Sequence, residues 1–507
     1  MAQAIELPTT LEAAHALIAE LSEHVAELRA DNAKLKHELD QHARRLFGKK
    51  SEKLDAAQLE LAYAALNAAS ADETDAADEI EVPAHKRKRK GHGRTRFSED
   101  LPRERRVIEP DSTTCGCCGQ AMAQIGEETS EQLDYMPATC RVIETVRPKY
   151  ACGTCKDGVH VALAPQGPIP KGKATAATLA HVAVAKYVDH LPLVRQTTIL
   201  RRAGVTLSKQ TLGGWVRQVS DLVERIERAQ WDSILASRVL RADETPVKVL
   251  VEGKKQAHRA YLWAYLGDRD EVAFDFSMGR KGEAPLAALA TFTHGVLLAD
   301  GYAGYNEVVS QRPDVSRAGC WAHARRYFFE AKKTASSRAL PILALIRQLY
   351  AVESEIQEAT TTPRQRAGLA SVLRASKSRA ILDEIKALLD RDVARVLPKS
   401  PIGKAIGYAL GQWTELTRFA ENGEIPIDNN ATERALRAVA VGRNNWTFCG
   451  SEAGGAWAAR LYGLLGTCRL QGKNPFAWLS DVLGRVRDHP PERMDELTPR
   501  LWTPATT

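Results

Sequence analysis

Three carboxylates and four thiols in this 507-residue chain have the types and spacing to do chemistry. Asp243 and Asp300 each stand where an apolar, strand-like run gives way to a turn. Glu433 lies in a helical segment, three residues before Leu436 and seven before Ala440, so it borders that helix's apolar side. A charge placed there is costly unless it is paired or binds a cation. Three carboxylates with no sulfur or imidazole set suit hard, oxygen-seeking Mg2+. Two such ions can activate an attacking oxygen and stabilise a leaving one at a phosphodiester. Residue type alone gives this triple little weight, because the chain offers 63 Asp and Glu from which to choose.

The thiols fall in two knuckles, Cys115-Gly-Cys117-Cys118 and Cys152-Gly-Thr-Cys155. Cys115, Cys118, Cys152 and Cys155 make two CxxC turns, each offering two sulfurs to one side of a tight loop. Four thiolates are a structural zinc set, which leaves no open position for catalysis. The spacer between the knuckles exceeds the ~15–20 residues common in zinc ribbons. Cys117 is an alternative ligand beside Cys118, and a redox dithiol is the rival chemistry. Between the knuckles RVIETVRPKY alternates like a strand, with Cys140 just ahead of it as a packed thiol.

The elements that must position the carboxylates follow an α/β order. RVLRADETPVKVLV (238–251) reads as a buried strand ending at Asp243, and 259–268 and 271–277 as two more. EAPLAALATF reads as a helix, and GVLLADGYAGY as a fourth strand with Asp300 at its carboxyl end. SRAGCWAHARRYFFEA is a fifth strand running into a helix. A helix-prone insertion spans about 336–425, and IPIDNNATERALRAVAVGRNNW is a capped helix carrying Glu433. The core is expected over 238–450, with a helical region over 451–507.

Three modules precede that core. Within 1–66, Leu11, Ile18, Val25, Asn32, Leu39 and Leu46 fall at heptad position a, with Leu21, Leu28 and Leu35 at d. That repeat closes a two-stranded coiled coil, and a single a-site Asn fixes register. A lone amphipathic helix packed on its own domain is the alternative. Residues 67–110 form a charged linker whose run KRKRKGHGRTR could follow a phosphate backbone or simply be solvated. The cysteine module occupies 111–165. Over 171–232, Pro192 suits a first helical turn, Gly204 a stop and Ser208 the cap of a second helix. Helix, short turn, helix is the helix-turn-helix pattern, although any two packed helices share much of it. Lys209, Gln210 and Thr211 would open its recognition helix.

The formal charge of +7 fits a polyanionic partner without demonstrating one. No segment approaches the ~18 apolar residues of a membrane span, and the first residues do not read as a secretory signal. The expectation is a cytoplasmic, nucleoid-associated protein.

The strings ADET, ADGYAGYN, GCWAHARRYF and IDNNATERALRAVAVGRNNW resemble the catalytic segments of the DDE transposases of the insertion-sequence-66 family, the TnpC type. The zipper with LFGKKSEK, the Cys knuckles with SEQLDYMPATCRVIETVRPKYAC, and DHLPLVRQ with RRAGVTLSKQTLGGW follow the same order of modules. The resemblance covers nearly the whole chain. It implies a multidomain protein with an α/β ribonuclease-H-like core, whose acidic triad Asp243, Asp300 and Glu433 binds two Mg2+ or Mn2+. Cys320-Trp-Ala-His323 resembles a CxxH signature seen in several transposase families. His323 would position DNA, or else Cys320 is simply a core thiol and His323 a hydrogen-bonded histidine. Arg325, Arg326, Arg434 and Arg437 would hold phosphates, and Trp446 would stack on a base. Asp428 is either part of the site or only a helix cap.

The activity so implied is binding of an element's ends, metal-dependent DNA cleavage and strand transfer by a homodimer or higher oligomer. The gene organisation of the family suggests small accessory proteins of the same element as partners. Two other readings remain open: a ribonuclease-H-like nuclease or resolvase that cuts without joining, and a dimeric DNA-binding regulator with an inactive core.

Overall fold

The computed structural model describes residues 139–151 and 159–505, Lys255 excepted, together with Arg105, Val107, Cys117 and Gln120. The expected coiled coil and the zinc set Cys115, Cys118, Cys152 and Cys155 lie outside the described residues, as does the linker apart from Arg105 and Val107. Residues 72–142 form a unit of their own, and its described residues carry no helix or strand.

In the larger unit β1 (Lys149–Ala151) pairs antiparallel with β2 (Val159–Val161). The strand expected over RVIETVRPKY is thus confined to its last two residues. Val142, Ile143 and Val146 are exposed, so its alternation has no apolar face to cover. Cys140 is exposed as well, not packed.

Four helices follow: α1 (Ala176–Tyr187), α2 (Leu193–Arg202), α3 (Lys209–Leu222) and α4 (Glu224–Leu235). Their ends obey the local signals. Pro192 precedes the first residue of α2, and Gly204, with φ +82°, takes the left-handed turn that ends it. Ser208 Oγ accepts from Thr211 N–H at 3.0 Å and caps α3.

The centre is a five-stranded sheet of β3 (Val239–Val249), β4 (His258–Leu266), β5 (Val272–Ser277), β6 (Gly295–Leu298) and β7 (Val315–Ala318), in the order β5-β4-β3-β6-β7. The first three strands are an antiparallel meander, and β6 and β7 continue parallel to β3. Helices α5 (Glu283–Ala288) and α6 (Gly304–Ser310) fill the crossovers, and α7 (Trp321–Ala331) leaves β7. Contrary to the sequence expectation, β3 does not end at Asp243. Antiparallel pairing with β4 carries it on to Val249, whereas parallel pairing with β6 stops at Arg241.

A helical insertion follows: α8 (Ser336–Glu358), α9 (Pro363–Leu373), a π-turn at Arg374–Ser378, α10 (Arg379–Val393), α11 (Pro401–Gly411) and α12 (Trp413–Thr417). Arg374, buried at the π-turn, ties it together by donating to Glu353 and to the carbonyls of Phe419, Asn422 and Ile425. The chain then returns to the sheet as α13 (Asn430–Trp446), α14 (Glu452–Leu470) and α15 (Pro475–Arg485).

Alternation along β3 sorts the core. Leu240 and Ala242 face one side with Trp263, Tyr265, Leu297 and Tyr305. Val239 faces the other side, packed with Leu298, Trp321 and Phe328 beneath the insertion. Further along that second side, Val247 and Val249 join a cluster that includes Leu436, Val439, Leu464, Trp478, Leu179 and Leu212. Helices α1, α3, α13, α14 and α15 therefore share one core with the sheet.

Candidate active site

Asp243 and Asp300 come to one level by register. Arg241 and Leu298 are the last paired residues of β3 and β6, and each carboxylate stands two residues beyond its member of that pair. The same parity puts both on the side of Val239 and Leu298. Asp243 lies on β3 between Val239, under the insertion, and Val247, under α13 and α14, where neither apolar cluster covers it completely.

Glu433 sits in the first turn of α13, which is fastened to β3 near both ends. At the start, Asn429 donates from Nδ2 to the carbonyl of Ala242 at 2.8 Å. At the end, Arg443 donates to Thr245 Oγ1 at 2.7 Å and to the carbonyl of Pro246 at 2.6 Å. Such bonds contribute about 1 kcal/mol each, less than the ~1.5–3 kcal/mol for burying a side chain such as Leu436. Apolar packing thus holds α13 on the sheet, and the polar bonds set its register.

The electrostatics are those of a crowded anionic site. Asp243 is pushed up to about 8, first by burial and then by the charges of Glu244 and Asp300, with a smaller push from Glu433. The Glu244 N–H donated to its Oδ1 at 2.9 Å opposes this. Asp300 Oδ1 accepts from Tyr302 N–H at 2.9 Å. Glu433 Oε1 is buried without a hydrogen-bond partner. Three oxygen donors whose charges repel in a half-buried site fit divalent, oxygen-seeking cations.

Glu244, the neighbouring acid, is otherwise engaged. It points to the opposite side, where it accepts from Arg280 Nε at 2.7 Å and from Tyr305 OH at 3.0 Å. Arg317 is buried behind Asp300, donating to its carbonyl at 3.0 Å and to Asn306 and Gln412. Sequence reasoning did not find Asn429, Arg443, Arg280 or Arg317. The Asn429-Asn430 pair carried a cap signal and the others carried none.

The remaining expected residues fall as follows. Asp428 is one residue ahead of the cap position, which Asn429 takes. Asp428 nonetheless accepts from Asn430 N–H at 3.1 Å and from Tyr350 OH at 2.8 Å. Cys320 is a buried core thiol, while His323 Nδ1 is buried, unbonded and 3.7 Å from Glu433 Oε1. Arg326 lies 3.7 Å from Glu433 Oε2, and the Arg325 guanidinium sits over the Phe329 ring. Arg434 and Arg437 are exposed on α13. Trp446 is half-buried, donating to Tyr462 OH at 3.3 Å, with Lys186 over its ring. Lys209 and Gln210 are exposed at the start of α3, whereas the Thr211 hydroxyl is bonded to Ser208 Oγ at 2.9 Å. Among the described residues no helix is long and apolar enough to cross a membrane.

Comparison with known proteins gives the family of the chain. A profile described as "Transposase IS66 family" matches residues 171–457, which is more than half of the chain. Further profiles match in order: "Transposase C of IS166 homeodomain" at 34–106, "zinc-finger binding domain of transposase IS66" at 112–156, and "IS66 C-terminal element" at 463–500. Uncharacterized protein y4jD of Sinorhizobium fredii (strain NBRC 101917 / NGR234) is 37% identical over 400 residues, 76% of this chain and 77% of its own. From the same organism, y4qI is 35% identical over 436 residues (83% and 79%), and y4hP is 32% identical over 511 (93% and 89%). Both are likewise named as uncharacterized. With four profiles of this family matching in succession along it, the chain belongs to the IS66 transposase family.

Proposed function

We propose that this protein binds the ends of an insertion sequence, cleaves DNA there, and joins the resulting 3′-hydroxyl to a target. The observation that carries this reading is the common level of Asp243 and Asp300, with the Glu433 helix fastened to the same strand. An antiparallel meander followed by two parallel strands, with a helical insertion before the last helix of the site, supports a ribonuclease-H-like core.

Asp243, Asp300 and Glu433 would hold two Mg2+, or Mn2+. Bound there, such ions make a water or hydroxyl nucleophilic and neutralise the leaving oxygen. The chain's own residues do the rest. Tyr302 N–H and Glu244 N–H each fix one oxygen of Asp300 and Asp243, so the free oxygens are pre-aimed. Arg325 and Arg326 follow His323 in sequence, and Arg434 and Arg437 follow Glu433; they are the phosphate contacts of this reading. His323 positions DNA beside the metals, and the half-exposed face of Trp446 stacks on a base. Lys209 and Gln210, exposed at the capped start of α3, read base edges, with Thr211 held back in the cap.

The zinc-finger segment supports a zinc site. In our reading Cys115, Cys118, Cys152 and Cys155 hold one structural Zn2+, with Cys117 as the alternative ligand. Residues 11–46 pair two copies, small proteins of the same element assist, and the complex works on the nucleoid in the cytoplasm.

The test is cleavage and joining of a labelled element end. Asp243→Asn, Asp300→Asn and Glu433→Gln should each abolish both steps and leave end binding within about twofold. A variant that still cuts near the wild-type rate removes that residue from the triad. Cutting by the wild-type protein without joining supports the nuclease reading instead.

A further inference from the structure

Cys320, His323 and Glu433 each offer one ligand atom, and the three atoms lie within 4.8 Å of one another. They come from two elements. Cys320 stands just ahead of α7, His323 is in its first turn, and Glu433 is in the first turn of α13. His323 Nδ1 and Glu433 Oε1 are both buried without hydrogen-bond partners, and their 3.7 Å separation is too long for a bond between them. Two unsatisfied buried polar atoms facing each other beside a thiol are an arrangement that a shared cation would satisfy. The sulfur accepts from Asn429 N–H at 3.2 Å, which only partly opposes the burial that pushes its thiol up to about 12, so an incoming cation has to displace the proton.

Sulfur, nitrogen and one carboxylate oxygen form a donor set different from the all-oxygen triad. Thiolate and imidazole select borderline-soft Zn2+ over Mg2+. We propose that Cys320, His323 and Glu433 bind a Zn2+-class cation, distinct from any zinc in the cysteine knuckles, and that its binding withdraws Glu433 from the Asp243–Asp300 pair. Neighbouring ligands of a tetrahedral zinc lie ~3.5 Å apart, so the three side chains close inward by small rotations. The Cys320 proton leaves to solvent as the Zn–S bond forms, and the fourth position stays open to water. Excess zinc is then an inhibitor that acts through a sulfur ligand. The binding claim stands on the three side chains alone. The inhibition claim rests on the proposed function.

Both claims are tested on the full chain carrying its structural zinc. Co2+ binds more weakly than Zn2+ to a given site, so added Co2+ reports a vacant site and not exchange. One further equivalent should bind and give a sulfur-to-cobalt absorption band. Cys320→Ser should lose that band, and His323→Gln, at a less buried position, should weaken Co2+ binding at least tenfold. A band that survives Cys320→Ser, or no band in the wild-type protein, overturns the site. In the second arm, Mg2+-dependent cleavage is titrated with Zn2+, each protein scaled to its own uninhibited rate. Half-inhibition should need at least tenfold more Zn2+ in Cys320→Ser and in His323→Gln. Equal sensitivity overturns the inhibition claim. Absence of any Mg2+-dependent cleavage strikes the proposed function and leaves the cobalt arm readable.

Discussion

Asn429 donates from its side-chain amide to the carbonyl of Ala242, so the helix bearing Glu433 is hitched to the residue just before Asp243. Asn429 is fully buried, and its backbone N–H also reaches Cys320 Sγ. One residue thus links β3, the β7–α7 junction and α13. Asn429→Ala should cost about 1–3 kcal/mol, because the Ala242 carbonyl is left buried and unpaired. Denaturant unfolding measures that cost. The Mg2+ concentration for half-maximal cleavage should also rise several-fold. A loss of stability with unchanged metal dependence would limit Asn429 to a packing role.

Mutual repulsion around Asp243 predicts stabilisation by divalent cations. With Mg2+ or Ca2+ at ten times the dissociation constant, the folded state should gain about 1.4 kcal/mol. Thermal unfolding reads this without any DNA. Asp243→Asn removes one of the repelling charges and one ligand, so the increment should shrink or vanish. An increment of full size in that variant contradicts the metal assignment.

Asp275 supplies a pH signature well away from the triad in sequence. Burial pushes its carboxyl up to about 6; the Phe276 backbone N–H opposes this, and Glu227 adds to it. The folded state therefore holds the proton more tightly than the unfolded chain does. The associated stability is fully present below about pH 4 and is lost as pH rises through about 6, up to on the order of 3 kcal/mol. Asp275→Asn should flatten that part of the curve. The check is the difference between wild-type and variant unfolding free energies from pH 4 to 7, which should change in that window and nowhere else.

At the start of α3, Ser208→Ala removes the oxygen that accepts Thr211 N–H, at a cost of about 1 kcal/mol. Gln210→Ala should leave stability within about 0.5 kcal/mol, since its side chain is exposed. In DNA-binding assays Gln210→Ala should narrow the preference for element ends over random duplex. Equal loss of affinity for both would mark a phosphate contact.

What the sequence conveyed depended on the range of the interaction. Pro192, Gly204 and Ser208 act within a few residues: α2 begins just after Pro192 and ends just before Gly204, and α3 begins just after Ser208. The runs carrying Asp243 and Asp300 are strands because their apolar periodicity is local as well. The end of β3 was misjudged because it depends on a partner, since β4 extends what β6 leaves unpaired. RVIETVRPKY failed for the complementary reason, having alternation without a neighbour. Arg317, Arg443 and Asn429 make their decisive contacts with residues about 95, 197 and 187 positions away. Nothing in a local pattern encodes such pairings.

The apolar cluster joining α1 and α3 to α13, α14, α15 and the sheet has a mechanical consequence. Helices that share a core cannot swing on a hinge without emptying it. In the proposed reaction, a duplex gripped by α3 would therefore be presented to the carboxylates at a single phase of its winding. Half a turn of DNA, ~5 base pairs, inserted between the gripped sequence and the cut site would rotate the scissile phosphate to the far side, and a full turn of ~10.5 would bring it round again. In that proposed reaction the core, set by packed leucines and tryptophans, would act as a gauge that fixes where along the double helix the cut falls.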